Sequence, residues 1–167
     1  SYHFEYLTLY VAQLFIYLFP LIIWKWRVFY MDRVIVILSL ALSLLYLFFP
    51  VHPCPAAIEA GFNTVGYFHS FLQNCGLHPV IIQLFFFIGF LLGWPILLTF
   101  AKDFIHKTLT KTFDLLFLLE ACILSFFIIM PSSYLLWEKY FMPVVPLAIM
   151  ATLLLVEKEK GAVQTTT

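Results

Sequence analysis

An all-α bundle of about five membrane-spanning helices is the fold class this sequence predicts, and three observations predict it. The chain is 63% hydrophobic and 11% charged, where an ordinary soluble domain is roughly 45–50% apolar and about 25% charged. Its uncharged runs come close to the roughly 20 residues that carry a helix across a hydrocarbon core about 30 Å thick. Lys and Arg gather in alternate connections, as they do when loops sort to two sides of a bilayer. A water-soluble fold of 167 residues would leave that apolar surplus on its surface. Disorder demands the opposite composition. Nine Lys plus Arg balance nine Asp plus Glu with no basic patch, so nucleic acid is not an expected partner.

The chain reads as a single membrane domain, 1–167, with spans at about 5–24, 34–51, 80–101, 114–131 and 139–156. None shows the apolar/polar alternation of a barrel strand, and an open sheet cannot satisfy its backbone in lipid. In the fourth span only Glu120 interrupts the apolar run. Pro20, Pro95, Pro143 and Pro146 fall inside spans and should kink or locally break them. Gly89 and Gly93 form G-x-x-x-G, a surface for close helix packing. The segment 52–79 is too long for a turn. Within it, Ala56–Gln73 sets Ile58, Phe62, Val65, Phe68, Phe71 and Leu72 three to four apart, the pattern of an amphipathic helix lying at the interface. Gly61 and Gly66 weaken that helix. The tail 157–167 ends in a stretch, Gly161–Thr167, that reads as frayed.

Eight basic residues fall on one side: Lys25, Arg27 and Arg33, then Lys102, Lys107 and Lys111, then Lys158 and Lys160. Lys139 stands alone on the other. The split predicts a cytoplasmic C-terminus and a non-cytoplasmic N-terminus, segment 52–79 and turn 131–139. The membrane is a bacterial or archaeal inner membrane or the endoplasmic reticulum. Trp24, Trp26 and Trp137 sit at the predicted boundaries, as an aromatic belt requires. The chain opens on Ser1, with Glu5 rather than a basic cluster before the first span, which is not a signal-peptide pattern. It suggests processing, an upstream segment, or a piece of a larger protein.

Chemistry-bearing residues are few. Cys54 and Cys75 lie together in the non-cytoplasmic segment, where disulfides persist; spacing leaves open a bridge or two separate thiols. Cys122, within the fourth span, reads as a small core residue. His52, Glu59, His69 and His78 share the long segment but match no tight ligand spacing, so no metal is expected. There is no G-x-S-x-G, phosphate loop or paired-Cys pattern; no cofactor is implied and no catalytic residue is assigned. Glu120 is costly inside a membrane, roughly 2.5–3.5 kcal/mol at a helix centre, and should face the bundle interior. It reads as a carboxyl tying helices together before it reads as part of a proton or ion pathway.

Trp137-Glu138-Lys139-Tyr140-Phe141-Met142-Pro143-Val144-Val145-Pro146-Leu147-Ala148 resembles the R-Y-hydrophobic-hydrophobic-P-x-x-P-L stretch near the C-terminal end of GT-C transmembrane glycosyltransferases. These polytopic enzymes take a sugar from a polyprenyl-phosphate carrier. The resemblance covers about the last 55 residues, with Lys139 in place of the usual Arg and Glu138 before it. It implies that Lys139 and Tyr140 face the outer mouth and help hold the carrier phosphate. The family's acidic residue on the first outer loop belongs to an N-terminal half, and nothing in Ser1–Tyr10 replaces it. The resemblance thus implies the C-terminal membrane portion of such an enzyme or a non-catalytic relative, with membrane lipids and a polyprenyl-phosphate-linked sugar as partners. A competing expectation is an accessory subunit bound to other subunits of a membrane complex. A transporter or channel component, with Glu120, Gln13 and Gln83 along a path, is the third.

Overall fold

The structure, a computed structural model, describes residues 3–53, 58–59, 61, 63–133 and 138–164. Helices α1 (Phe4–Trp24), α2 (Trp26–Tyr30) and α3 (Arg33–Ser43) come first. They are followed by α4 (Tyr67–Asn74), α5 (Pro79–Thr110), α6 (Leu115–Ile129) and α7 (Val144–Gln164). Short 3₁₀ turns cover Leu44–Leu47, Met130–Ser132 and Glu138–Tyr140. The fold is an all-helical bundle with no strand among the described residues. Three segments, Phe4–Trp24, Pro79–Thr110 and Leu115–Ser132, are long and apolar enough to cross a membrane.

The pair α1 and α5 forms the centre. From Thr8 to Leu14 every residue of α1 is buried, as expected of a helix that is apolar all round. Its closest neighbour is α5, and the G-x-x-x-G pair explains why. A Cβ on Gly89 would stand 3.3 Å from Ala12, and one on Gly93 would run into the Val11 carbonyl. Only glycine lets these two backbones touch. Around the pair, α3 and α4 lie on α5, α6 joins α5 to α7, and α7 returns to α1.

Helix ends follow their capping chemistry. Asp32 accepts hydrogen bonds from the Val34 and Ile35 N–H groups at 2.9 and 3.3 Å and opens α3. His78, followed by Pro79 at the first helical position, caps α5. Asp114 accepts from the Phe117 N–H at 2.7 Å and opens α6. Lys111 takes the left-handed conformation (φ 55°) that ends α5.

Several boundaries differ from the sequence reading. The helix of the third expected span, α5, runs to Thr110, well beyond 101, because its charged residues are paired rather than left in a loop. The second apolar run is helical only over Arg33–Leu47, its last turn tightened to 3₁₀. The helix of the fifth expected span, α7, begins at Val144: Pro143 restrains the residue before it, while Pro146 occupies the first turn, where its missing N–H costs no bond. The same helix continues to Gln164, into the stretch read as frayed. Pro20 and Pro95 do not break α1 or α5, which run through them. In segment 52–79 the described residues are helical at Ile58 and Glu59 and over Tyr67–Asn74, and Gly61 at φ 81° makes a turn between the two. Residues 54–57, 60 and 62 lie outside the described residues.

Candidate functional site

The connections expected to share one side of the membrane do meet at one end of the bundle. Lys102 pairs with Asp32 at 2.5 Å, and Lys158 pairs with Asp103 at 2.7 Å. Lys107, only 3% exposed, lies at the centre of this end. Its ammonium is 3.0 Å from Asp103 one turn back and 3.0 Å from the cap residue Asp114. Glu120, fully buried on α6, brings a carboxylate oxygen to 3.7 Å from the same nitrogen. A cavity of about 370 Å³ opens beside the network, lined by Lys102, Asp103, His106 and Lys158 among others.

Electrostatics at the edge of the network follow from these contacts. The Lys102 ammonium, joined by the Ile35 and Val34 N–H groups, holds the Asp32 carboxyl below the ordinary carboxylate range. At Asp114 burial works against the charged form. Hydrogen bonds from the Phe117 N–H and the Lys107 ammonium outweigh it, and this carboxyl too is held low.

At the other end, Lys139 and Tyr140 sit on the 3₁₀ turn Glu138–Tyr140. The Lys139 ammonium lies 5.4 Å from the centroid of the Tyr140 ring, a cation–π distance. The next residue, Phe141, is fully buried and packs against Tyr10, Tyr17, Phe126 and Phe127. That anchor fixes the turn while Lys139 stays exposed. The residue before α1 joins this end, where the His3 N–H donates to the Pro131 carbonyl at 2.8 Å. Helix α4 touches the turn, and its Phe68 lines an apolar cavity of about 440 Å³ shared with Phe15, Phe19 and Phe85.

Glu120 near the start of α6 and Lys139 on the turn beyond its far end thus lie at opposite ends of the bundle, and the fold does not bring them together. Glu120 faces the interior as its sequence position required, but with Lys107, Asp103 and Asp114 around it. The sequence held one signal for that network, the Asp103–Lys107 spacing of four on a helix. Cys122 is exposed rather than in the core, because it lies on the outward face of α6. Cys75 is exposed at the end of α4; Cys54, the other cysteine of the bridge that spacing leaves open, lies outside the described residues, as do Trp137 and the Glu138 side chain.

The histidines of the long segment take separate positions. His78 caps α5, and His52 is exposed. His69 is buried with its ring 5.8 Å from that of Phe86, and burial lowers its pKa. Gln83, expected beside a path, instead ties α5 to the chain before it. It accepts from the Tyr46 hydroxyl at 2.7 Å and donates to the Val51 carbonyl at 2.6 Å.

Long apolar helices, a core built on a glycine-mediated contact and charges gathered at the ends define an all-helical integral membrane protein. Comparison with protein-family models, curated proteins and solved structures finds no match for the chain.

Proposed function

We propose that this chain is the C-terminal membrane module of a polyprenyl-phosphate-sugar-dependent glycosyltransferase, with its Lys139 end facing away from the cytoplasm. One observation supports this above the others. An exposed cation, Lys139, is held on an anchored turn that touches α4, and Phe68 of α4 lines an apolar cavity of about 440 Å³. A phosphate carried on a prenyl chain needs both features at one end of the bundle. Lys139 meets the phosphate with a charge-assisted hydrogen bond worth roughly 1.5–3 kcal/mol, and the cavity takes the first isoprene units.

Photo-crosslinking of a polyprenyl phosphate to the chain in lipid nanodiscs tests the reading. Lys139→Ala should weaken labelling about tenfold or more, since each 1.4 kcal/mol is about a factor of ten. Equal labelling of both proteins, or equal labelling by the phosphate-free prenol, would overturn it.

A specific feature of α3 favours the accessory-subunit reading as a second choice. The apolar helix Arg33–Leu47 is short for a bilayer, and Val34, Ile37, Leu40, Leu44 and Leu47 are all exposed along it. Short spans are accommodated in part by oligomerisation. Site-directed crosslinking from Ile37 in native membranes would distinguish the two: lipid adducts alone fit the enzyme module, and a protein adduct fits the subunit.

A further inference from the structure

The network at the Lys107 end has one feature that helix tying does not require. Three carboxylates (Asp103, Asp114 and Glu120) face two ammonium groups (Lys107 and Lys158). Lys107 is engaged by Asp103 and Asp114, each at 3.0 Å, and Lys158 by the other oxygen of Asp103 at 2.7 Å. Asp103 Oδ2 meets Lys107 as an ion pair without hydrogen-bond geometry, and Glu120 is the carboxylate with no ammonium within hydrogen-bond distance of either oxygen. Neither of its oxygens has a hydrogen-bond partner, both are buried, and the nearer one is 3.7 Å from the Lys107 nitrogen, beyond hydrogen-bond reach. An ionised carboxylate there would lose its hydration with no donor to offset the loss. Protonation removes that charge and brings the group of five to neutrality.

We propose that Glu120 is a proton-binding site, holding one proton at neutral pH in the cage formed by α5, α6 and α7. Its route to water runs along Asp103, whose side chain is 15% exposed, into the 370 Å³ cavity. Among the other charged groups gathered at this end, Lys25 and Arg27 lie over the rings of Trp24 and Trp26 at 4.5 and 6.0 Å, and Arg33 and Lys111 are exposed. On α5, Lys102 is paired with Asp32, and His106 borders the cavity. On α7, Glu157 is exposed. Helix α1 carries no charged residue from Tyr6 to Trp24. Release of the proton would leave Glu120 and Asp103 repelling each other across Lys107, so proton occupancy is coupled to the packing of α6 on α5.

Infrared spectroscopy of the full chain in lipid nanodiscs tests this without any variant. With isotope placed on the glutamate side-chain carboxyl carbon, a protonated-carboxyl stretching band should be present at neutral pH and should shift with the label. Glu120→Gln, the neutral isostere, should abolish that band and leave thermal unfolding unchanged. Absence of the band in the wild-type chain, its survival in Glu120→Gln, or a shift only when aspartate is labelled would overturn the proposal. So would failure of Glu120→Gln to fold, because a site that is already neutral tolerates the amide.

Discussion

Gly93→Ala adds one methyl group where the structure leaves no room for it. The new Cβ would run into the Val11 carbonyl, with the carbonyl carbon and Cγ1 of Val11 both 2.9 Å away. A backbone carbonyl inside α1 cannot rotate aside, so α1 and α5 must separate along their contact. Overpacking typically costs about 1–3 kcal/mol, and a rigid neighbour places this case near about 3 kcal/mol, roughly a hundredfold in the folded fraction. The alanine gains little in return through helix propensity, because a membrane span remains largely helical when it leaves its partners. Gly89 is the internal control. Its added Cβ would stand 3.3 Å from Ala12, a gap a small shift can open, and Gly89→Ala should cost less than about 1 kcal/mol. Equilibrium unfolding in bicelles should show the large loss at Gly93 and the small one at Gly89. Equal effects, or a Gly93→Ala protein as stable as wild type, would refute the close backbone contact.

Two further outcomes follow from the charged end. Lys107→Met should destabilise the chain by about 3 kcal/mol, the lower end of the cost of breaking a buried ion pair, since Lys158 still compensates Asp103. Adding Asp114→Asn should recover part of that loss, and a silent Lys107→Met in the same unfolding assay would show that the network carries no stability. At the start of α3, Asp32 has a folded-state pKa below its unfolded value, chiefly through Lys102. Its contribution is therefore present above the unfolded-state carboxylate pKa and is lost as pH falls through the lower folded value. Asp32→Asn should flatten this acid limb of a stability-versus-pH curve, and an unchanged limb would remove Asp32 from the account.

Long uncharged runs made the central helices legible in the sequence. Phe4–Trp24 and Pro79–Thr110 contain spans placed by counting apolar residues, and Leu115–Ser132 matches the span 114–131 to within one residue at each end. At α5 the helix runs on past the expected span 80–101, through Lys102, Asp103 and Lys107, which the sequence places in a connection. Charge ends an apolar run, but it does not end a helix when each charge has a partner one turn away or on a neighbouring helix. Glu120 was legible as an inward carboxyl from its place inside an apolar run. Its surroundings were not, because Lys107 reaches it only once α5 has been extended to the start of α6. The glycine pair was visible as a motif, yet its partner surface, Val11 and Ala12, is ordinary apolar sequence and carries no mark of its role. The late start of α7 was signalled by Pro143 and Pro146, whose spacing suits a first turn better than a helix interior.

The length of α5 sets a relation between this chain and the thickness of its membrane. At about 1.5 Å per residue, its 32 residues extend roughly 48 Å, against a hydrocarbon core of about 30 Å. Tilt alone would need about 50°, more than the roughly 40° at the upper end of helix tilts, so part of the helix must stand clear of the hydrocarbon. The charged stretch from Lys102 is the part suited to do so. Hydrophobic mismatch then acts directly on that stretch: a thicker bilayer draws Lys102 toward the acyl chains, and a thinner one bares another turn of α5 to the headgroups. The chain is thereby fitted to membranes of a particular thickness, with the Asp32–Lys102 pair marking the waterline.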